Sequence, residues 1–312
     1  MKKHYILKIV FLLFLTTVQS QETWHKLSSF NNANSAVWMS SGYNNLNYII
    51  TADRWIYYSD TDAQSWEPFI DVPSFFNAGS IKASQTTNRV FCLTSSSGLA
   101  YTDNFGQNWQ TTSIGSTNGQ SGLSPLVLAY GLHNTKIAAA IIGPITGEIQ
   151  NKLFISTNNG VTFTQQGTIG FYPIGFHFVD ENIVVSNTSD GIFKTDNVDS
   201  GNWTSLGFSN LQVTDLEVNG EVMYASVLET GGNGNVYKTE DGGQNWTLLN
   251  DIPTNSGVSK MAYDWQNNRL FVTTASGIYA YVNDNWTTIS TINKANEIIT
   301  TADNSVLLEV FV

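Results

Sequence analysis

The chain has 312 residues, of which 41% are hydrophobic and only 12% charged. Its 14 basic and 25 acidic side chains give a net charge of −11, which argues against nucleic acid and anionic membrane surfaces as partners. A single cysteine, Cys92, excludes an internal disulfide and reads as a small buried apolar residue inside Arg89-Val90-Phe91-Cys92-Leu93.

Lys2, Lys3 and Lys8 precede the apolar run Ile9 to Val18, and Val18-Gln19-Ser20 supplies a cleavage-site pattern. Residues 1–20 are therefore expected to be a secretory signal peptide, too short in its apolar part to span a bilayer. The mature chain, 21–312, then carries 11 basic against 25 acidic residues, a net charge of −14. The expectation is one domain, exported to the periplasm or the extracellular medium, without membrane insertion, and monomeric.

No segment has convincing helical periodicity, whereas short alternating runs separated by Asn, Asp, Gly, Ser and Thr abound. The strongest local pattern is Val236 to Leu249, VYKTEDGGQNWTLL, which reads as strand, tight turn, strand. Its turn has the form Ser/Thr-x-Asp-x-Gly-x-x-Trp, with Thr239, Asp241, Gly243 and Trp246. Asp241 is expected to accept backbone N–H bonds, Gly243 to take a positive φ, and Trp246 to be the apolar anchor.

The anchor aromatic recurs as Trp24, Trp66, Trp109, Phe163, Trp203, Trp246 and Trp286, about 40 residues apart, with a longer interval before Phe163. Thr102 to Trp109 and Ser156 to Phe163 are good copies of the turn. Thr195 to Trp203 carries one extra residue, Ser59 to Trp66 has Thr61 and Ala63 for Asp and Gly, and the turn before Trp286 is shortened. A period of about 40 residues with four strands per unit is a propeller blade.

In the sixth unit the strands are read as Val258 to Tyr263, Arg269 to Thr274, Ile278 to Tyr281 and Trp286 to Ile289, here called a, b, c and d. The third unit is longest, and Gly143 to Gln150 is read as an extended b–c loop. Six units are complete, and Asn296 to Val312 holds two more strands. Trp24-His25-Lys26-Leu27 is an orphan d strand, expected to complete a seventh blade and close the ring. A seven-bladed all-β propeller is thus the expected fold, with six blades and loose ends the alternative.

These repeats resemble the Asp-box (BNR) propellers over nearly the whole mature chain. That superfamily includes exo-sialidases, xyloglucan-cleaving tandem propellers, sortilin-type receptors and the photosystem II assembly-factor family. The Val236–Trp246 phrase is nearer to the last three than to a sialidase. The resemblance implies that the box aspartate, Asp241, is structural, and that function sits on the opposite face, formed by b–c and d–a connections. Likeness of fold licenses no activity by itself.

A sialidase needs three arginines converging on a carboxylate. The chain has only Arg54, Arg89 and Arg269, and Arg89 and Arg269 fall at a–b turns, away from the expected functional face. A general glycosidase needs two carboxyl groups across a cleft. Asp53, Glu148, Asp190 and Glu229 fall on b–c connections, and Asp71 and Asp251 on d–a segments.

Aromatic pairs on d–a segments are Phe75-Phe76 and Phe171-Tyr172, suited to stacking on a sugar or anchoring a peptide. His177 lies in an inner strand and is expected to be a satisfied structural histidine. No His/Cys spacing suggests a metal, and no cofactor is implied.

The leading expectation is a non-catalytic module that binds a glycan or an extracytoplasmic protein through Arg54, Asp53, Glu148, Glu229, Phe171 and Tyr172. The alternative is a glycoside hydrolase acting on an extracellular polysaccharide through two of Asp53, Glu148, Asp190 and Glu229. An assembly factor for a membrane complex is a third reading, without the basic patch expected for it.

Overall fold

The computed structural model describes residues 36–310 apart from 52–54, 62, 70–75, 95–97, 115–125, 146–147, 183, 201, 230, 233, 255, 292–294 and 301–305. Blade one is β1 (Ala36–Ser41), β2 (Asn47–Thr51), β3 (Ile56–Ser59) and β4 (Glu67–Pro68); blade two is β5 (Phe76–Ala83), β6 (Val90–Thr94), β7 (Gly98–Thr102) and β8 (Gln110–Ser113). Blade three is β9 (Leu126–His133), β10 (Lys136–Ile145), β11 (Glu148–Ser156) and β12 (Thr164–Ile169); blade four is β13 (Pro173–Phe178), β14 (Val184–Thr188), β15 (Gly191–Thr195) and β16 (Thr204–Gly207). Blade five is β17 (Gln212–Asn219), β18 (Val222–Leu228), β19 (Gly234–Thr239) and β20 (Thr247–Leu248); blade six is β21 (Val258–Asp264), β22 (Arg269–Thr274), β23 (Gly277–Val282) and β24 (Asn285–Ser290). Last come β25 (Ala295–Thr300) and β26 (Val306–Val310), which among the described residues pair with each other and with no other strand. Every four-stranded sheet is an antiparallel meander in chain order, so the a–b and c–d turns share one face and the b–c and d–a connections the other.

The expectation of seven blades is corrected: six sheets are four-stranded and the seventh, β25–β26, has two strands among the described residues. That small sheet still has a place in the ring. Ile298 packs into the apolar layer of blade six, with Ala262 and Phe271, while its neighbour Ile299 packs against Met39 and Ile49 of blade one. Successive strand residues face opposite ways, which is what lets one strand serve both neighbours. The segments read as signal peptide (1–20) and as the orphan strand (Trp24 to Leu27) lie outside the described residues.

The core is a series of layers between blades. Tyr48, Ile50 and Phe69 meet Ile81 and Cys92, and Phe91 and Tyr101 meet Ile137 and Phe154. Val185 and Ile192 meet Val213 and Met223, and Tyr224 and Val236 meet Met261 and Leu270. Burial pushes the Cys92 thiol well above its ordinary range, consistent with an inert packing residue.

The box turns owe their shape to side-chain bonds. In blade five the Thr239 hydroxyl accepts the Gly243 N–H at 3.0 Å and donates to Asp241 Oδ1 at 2.7 Å. Asp241 Oδ1 also accepts the Asn245 N–H at 2.9 Å, and Oδ2 the Asn245 amide at 2.7 Å. Gly243 takes φ +90°, as expected. The acceptor pattern recurs at Asn104 and Asn158 in blades two and three. Blade one keeps it without Asp or Gly: Ser59 accepts the Ala63 N–H, Thr61 accepts the Ser65 N–H, and Ala63 holds φ +62°.

Gly143 to Gln150 is not a loop. It is the end of the β10–β11 hairpin, paired in register from Gly143↔Gln150 to Ile145↔Glu148. Among the described residues pairing of β10 with β9 stops at Ile142, so Pro144 has one strand neighbour there, a setting in which proline is tolerated. The hairpin therefore extends past its blade on the b–c/d–a side.

Candidate functional site

The b–c/d–a face was expected to carry function, and the structure redistributes its residues. Asp53, Arg54, Asp71 and Phe75 lie outside the described residues. Glu148 begins β11 at the end of the projecting hairpin. Asp190, in the β14–β15 turn, accepts the Asn210 N–H with its carboxylate, while its own N–H donates to the Thr188 hydroxyl at 2.9 Å. It is exposed, but it is used to tie a b–c turn to the following d–a turn.

Glu229 receives the Tyr237 hydroxyl at 2.6 Å. That bond, followed by one from the Asn235 side chain, holds its carboxyl below the usual range. A catalytic acid needs the opposite shift, so Glu229 is poorly suited to protonate a leaving group.

The Phe171–Tyr172 pair is split. Phe171 is buried, stacked on Phe193 at 4.3 Å and edge-on to Trp203 at 5.2 Å, so its expected role as a ligand contact is corrected to one in the core. Tyr172 turns outward and is 50% exposed. Beside it Ile174, bulged out of β13, is 41% exposed, and Trp55 in the β2–β3 connection is 47% exposed. Trp55 is pinned at its backbone by the Thr51 hydroxyl, which accepts the Trp55 N–H at 3.1 Å. Trp55 and Ile174 were not singled out from sequence. For Trp55 a signal existed, since it stands outside the phase of the box anchors.

Of the other arginines, Arg89 makes paired bonds to Asp103 at 2.7 and 2.6 Å and reaches the Asn159 carbonyl of blade three. Arg269 bonds Asp264 at 2.8 Å. Burial alone raises the Asp264 carboxyl, but the Asn267 and Arg269 bonds outweigh it and leave it lowered. Both arginines serve the box face, as their a–b positions imply.

Inner strands bring a second group of residues together. His177 of β13 interacts electrostatically with Lys82 of β5, Asp215 of β17 and Lys260 of β21, and the Lys260 ammonium stands 4.9 Å over the Trp38 ring of β1. Blades two and four are not neighbours, so these side chains meet across the ring axis. Asp215 accepts the Met261 N–H at 2.7 Å. The Asn187 amide donates to the Val213 carbonyl at 3.1 Å, which turns its oxygen toward His177 Nε2, also at 3.1 Å, and makes that nitrogen the protonated one. A Cβ on Gly175 would lie 2.7 Å from Asn187 Oδ1 and 2.8 Å from His177 Nε2, so only glycine fits beside the pair. Burial first, then Lys82, lower the His177 pKa to about 4 against the opposing pull of Asp215 and Asn187. The imidazole is therefore neutral at pH 7. Among the described residues, no group of three or more His, Cys, Asp or Glu side chains is placed to hold a metal ion.

No protein-family model matches the chain, and no curated protein matches it. Solved structures do resemble it. YCF48 from Cyanidioschyzon merolae is 11% identical over 90% of this chain and 97% of that one, with a TM-score of 0.64. A structure of YCF48 bound to D1 peptide is 15% identical over 77% of this chain and 74% of that one, with a TM-score of 0.55. The GH74 enzyme of Niastella koreensis is 17% identical over 88% of this chain, with a TM-score of 0.63. This chain spans 51% of that enzyme, about half its length. At these identities the likeness establishes the fold, a β-propeller of four-stranded antiparallel blades.

Proposed function

We propose that this chain is a non-catalytic binding propeller, exported from the cytoplasm, that holds a polypeptide segment on its b–c/d–a face. The observation that carries the reading is the exposure of Trp55, Tyr172 and Ile174 on that face, while the described loop carboxylates Asp190 and Glu229 are committed to internal bonds. Exposed aromatic and aliphatic side chains are the usual anchors of a peptide or protein partner. The peptide-bound YCF48 structure supports the choice of a polypeptide. A glycan is the second reading, because the rings of Trp55 and Tyr172 would suit the apolar face of a sugar. Glycoside hydrolysis by Asp53, Glu148, Asp190 or Glu229 stands behind both.

The test is a glycan array and a peptide array probed with the mature chain, followed by mass spectrometry of each bound ligand. Capture without cleavage, lost in Trp55→Ala and Tyr172→Ala, is the expected result. Release of a shortened glycan would sink the non-catalytic reading and direct mutagenesis to the four loop acids.

A further inference from the structure

The outer rim between blades five and six carries a groove of about 550 Å³ on the box face, away from the surface just discussed. Its walls include β20 and the box turn of blade five on one side, Tyr281 and Asp284 of blade six on the other. Three features of these walls are independent of one another.

The first is an open strand edge. Among the described residues β20 is the outermost strand of its sheet and only two residues long, against six for the matching strand β24. The Leu249 N–H donates inward to the Val236 carbonyl at 2.9 Å, so strand alternation directs the N–H and C=O of Leu248 outward. A backbone donor and acceptor thus stand ready for an added strand.

The second is apolar surface at the same place. The Leu248 side chain is 45% exposed, and the half-buried Tyr281 ring lines the groove opposite, held against Trp286 at 5.0 Å. Asn250 fixes the two blades together here. Its amide donates to the Asp284 carbonyl at 2.8 Å and its own carbonyl accepts the Trp286 indole at 2.6 Å. The walls are therefore set before anything binds.

The third is charge. Glu240, Asp241 and Asp284 line the groove against one cation, Lys238, which is already paired with Glu240 at 2.5 Å. Asp241 is consumed by the box turn. Asp284 spends one oxygen on the Tyr281 hydroxyl at 3.3 Å and projects from an exposed two-residue turn.

We propose that this groove binds an extended, basic segment of a partner protein, which pairs with the free edge at Leu248 and sets a lysine or arginine against Asp284. Charge complementarity selects that occupant, since an acidic or phosphorylated segment would meet a lining of net negative charge. The site is distinct from the b–c/d–a surface, so the two proposals stand or fall separately.

The probe is a synthetic peptide of sequence acetyl-Ser-Val-Thr-Arg-Val-Thr-Ser-amide, with a citrulline counterpart in place of arginine, titrated into the isotopically labelled mature chain. The arginine peptide is expected to shift the amide signals of Thr247, Leu248 and Asp284, and the citrulline peptide to bind about fivefold more weakly. Asp284→Asn, which keeps a residue tolerant of the left-handed turn, should give a similar loss, and added salt should weaken the arginine peptide only. Absence of shifts at millimolar peptide, equal binding of both peptides, or shifts confined to Trp55 and Tyr172 would each overturn the proposal.

Discussion

Trp246 donates its indole N–H to the backbone carbonyl of Leu206, 3.0 Å away, and so bonds the box turn of blade five to the outer strand of blade four. Trp286 does the same to the carbonyl of Asn250, one blade further on. In blades five and six the repeated tryptophan is therefore a tie between blades as well as an apolar anchor, whereas the buried indole N–H of Trp203 makes no such bond among the described residues. Trp246→Phe keeps most of the packing and removes the bond, at an expected cost of about 1 kcal/mol. Gly243→Ala adds a Cβ 2.6 Å from Leu206 Cδ1 at a φ of +90°, and should cost about 1–3 kcal/mol. Urea unfolding midpoints, with an unchanged denaturant slope, would measure both.

Asp241 is held ionised by the Asn245 side chain, then by the Asn245 N–H and the Thr239 hydroxyl, so that its pKa falls to about 2. A depressed carboxylate stabilises the fold above its unfolded pKa, and the contribution disappears as pH drops from about 4 toward 2. Asp241→Asn should lower stability at pH 7 and flatten that acidic limb of the stability curve. Ligand binding at the b–c/d–a face by the folded variant should be unchanged, because the residue shapes a turn on the face opposite Tyr172.

Two adjacent aromatics should behave in opposite ways. Phe171→Ala empties a site stacked on Phe193 and edge-on to Trp203, and is expected to cost about 3–5 kcal/mol of stability. Tyr172→Ala removes a half-exposed ring, should leave stability within about 0.5 kcal/mol, and should weaken partner binding about tenfold or more. Thermal melts and binding isotherms on the same preparations would separate the two effects. Comparable melting temperatures would contradict the assignment.

His177 predicts a second pH dependence. Its folded pKa of about 4 lies below the ordinary value of 6.5, so the unfolded chain takes up the proton first. Both states are neutral above about pH 7, and stability declines as pH falls from about 6.5 to 4, then levels as far as this group is concerned. His177→Gln should remove that part of the decline. Retention of the full slope in the variant would show that another group is responsible.

Much of the architecture was readable because the repeat is written in chemistry that works locally. The sixth unit shows this best: strands read at 258–263, 269–274, 278–281 and 286–289 are observed at Val258–Asp264, Arg269–Thr274, Gly277–Val282 and Asn285–Ser290. Misreadings fall where local cues and tertiary context disagree. Gly143 and Pro144 signal a loop, yet a hairpin with a free edge accommodates both. Phe171 and Tyr172 have equal claims to the surface until the neighbouring blade supplies Phe193 and Trp203 for one of them. The axial group around His177 depends on strands far apart in sequence, and nothing in the spacing of Lys82, Asp215 and Lys260 announces that they meet. The number of blades turned on the last sheet, where counting strands along the chain does not reveal how many find partners.

The placement of Ile298 and Ile299 makes β25 the keystone of an arch. Each of the six four-stranded blades leans on its neighbours through broad layers, but among the described residues the circle is joined through one strand whose two sides face different blades. Strain on the molecule, whether from heat, a pulling force or a partner prising at its rim, would concentrate at that joint. The ring should therefore open into a curved row of intact blades before any single blade melts, with amide exchange quickening first along Ala295–Thr300 and at the facing edges of β1 and β21.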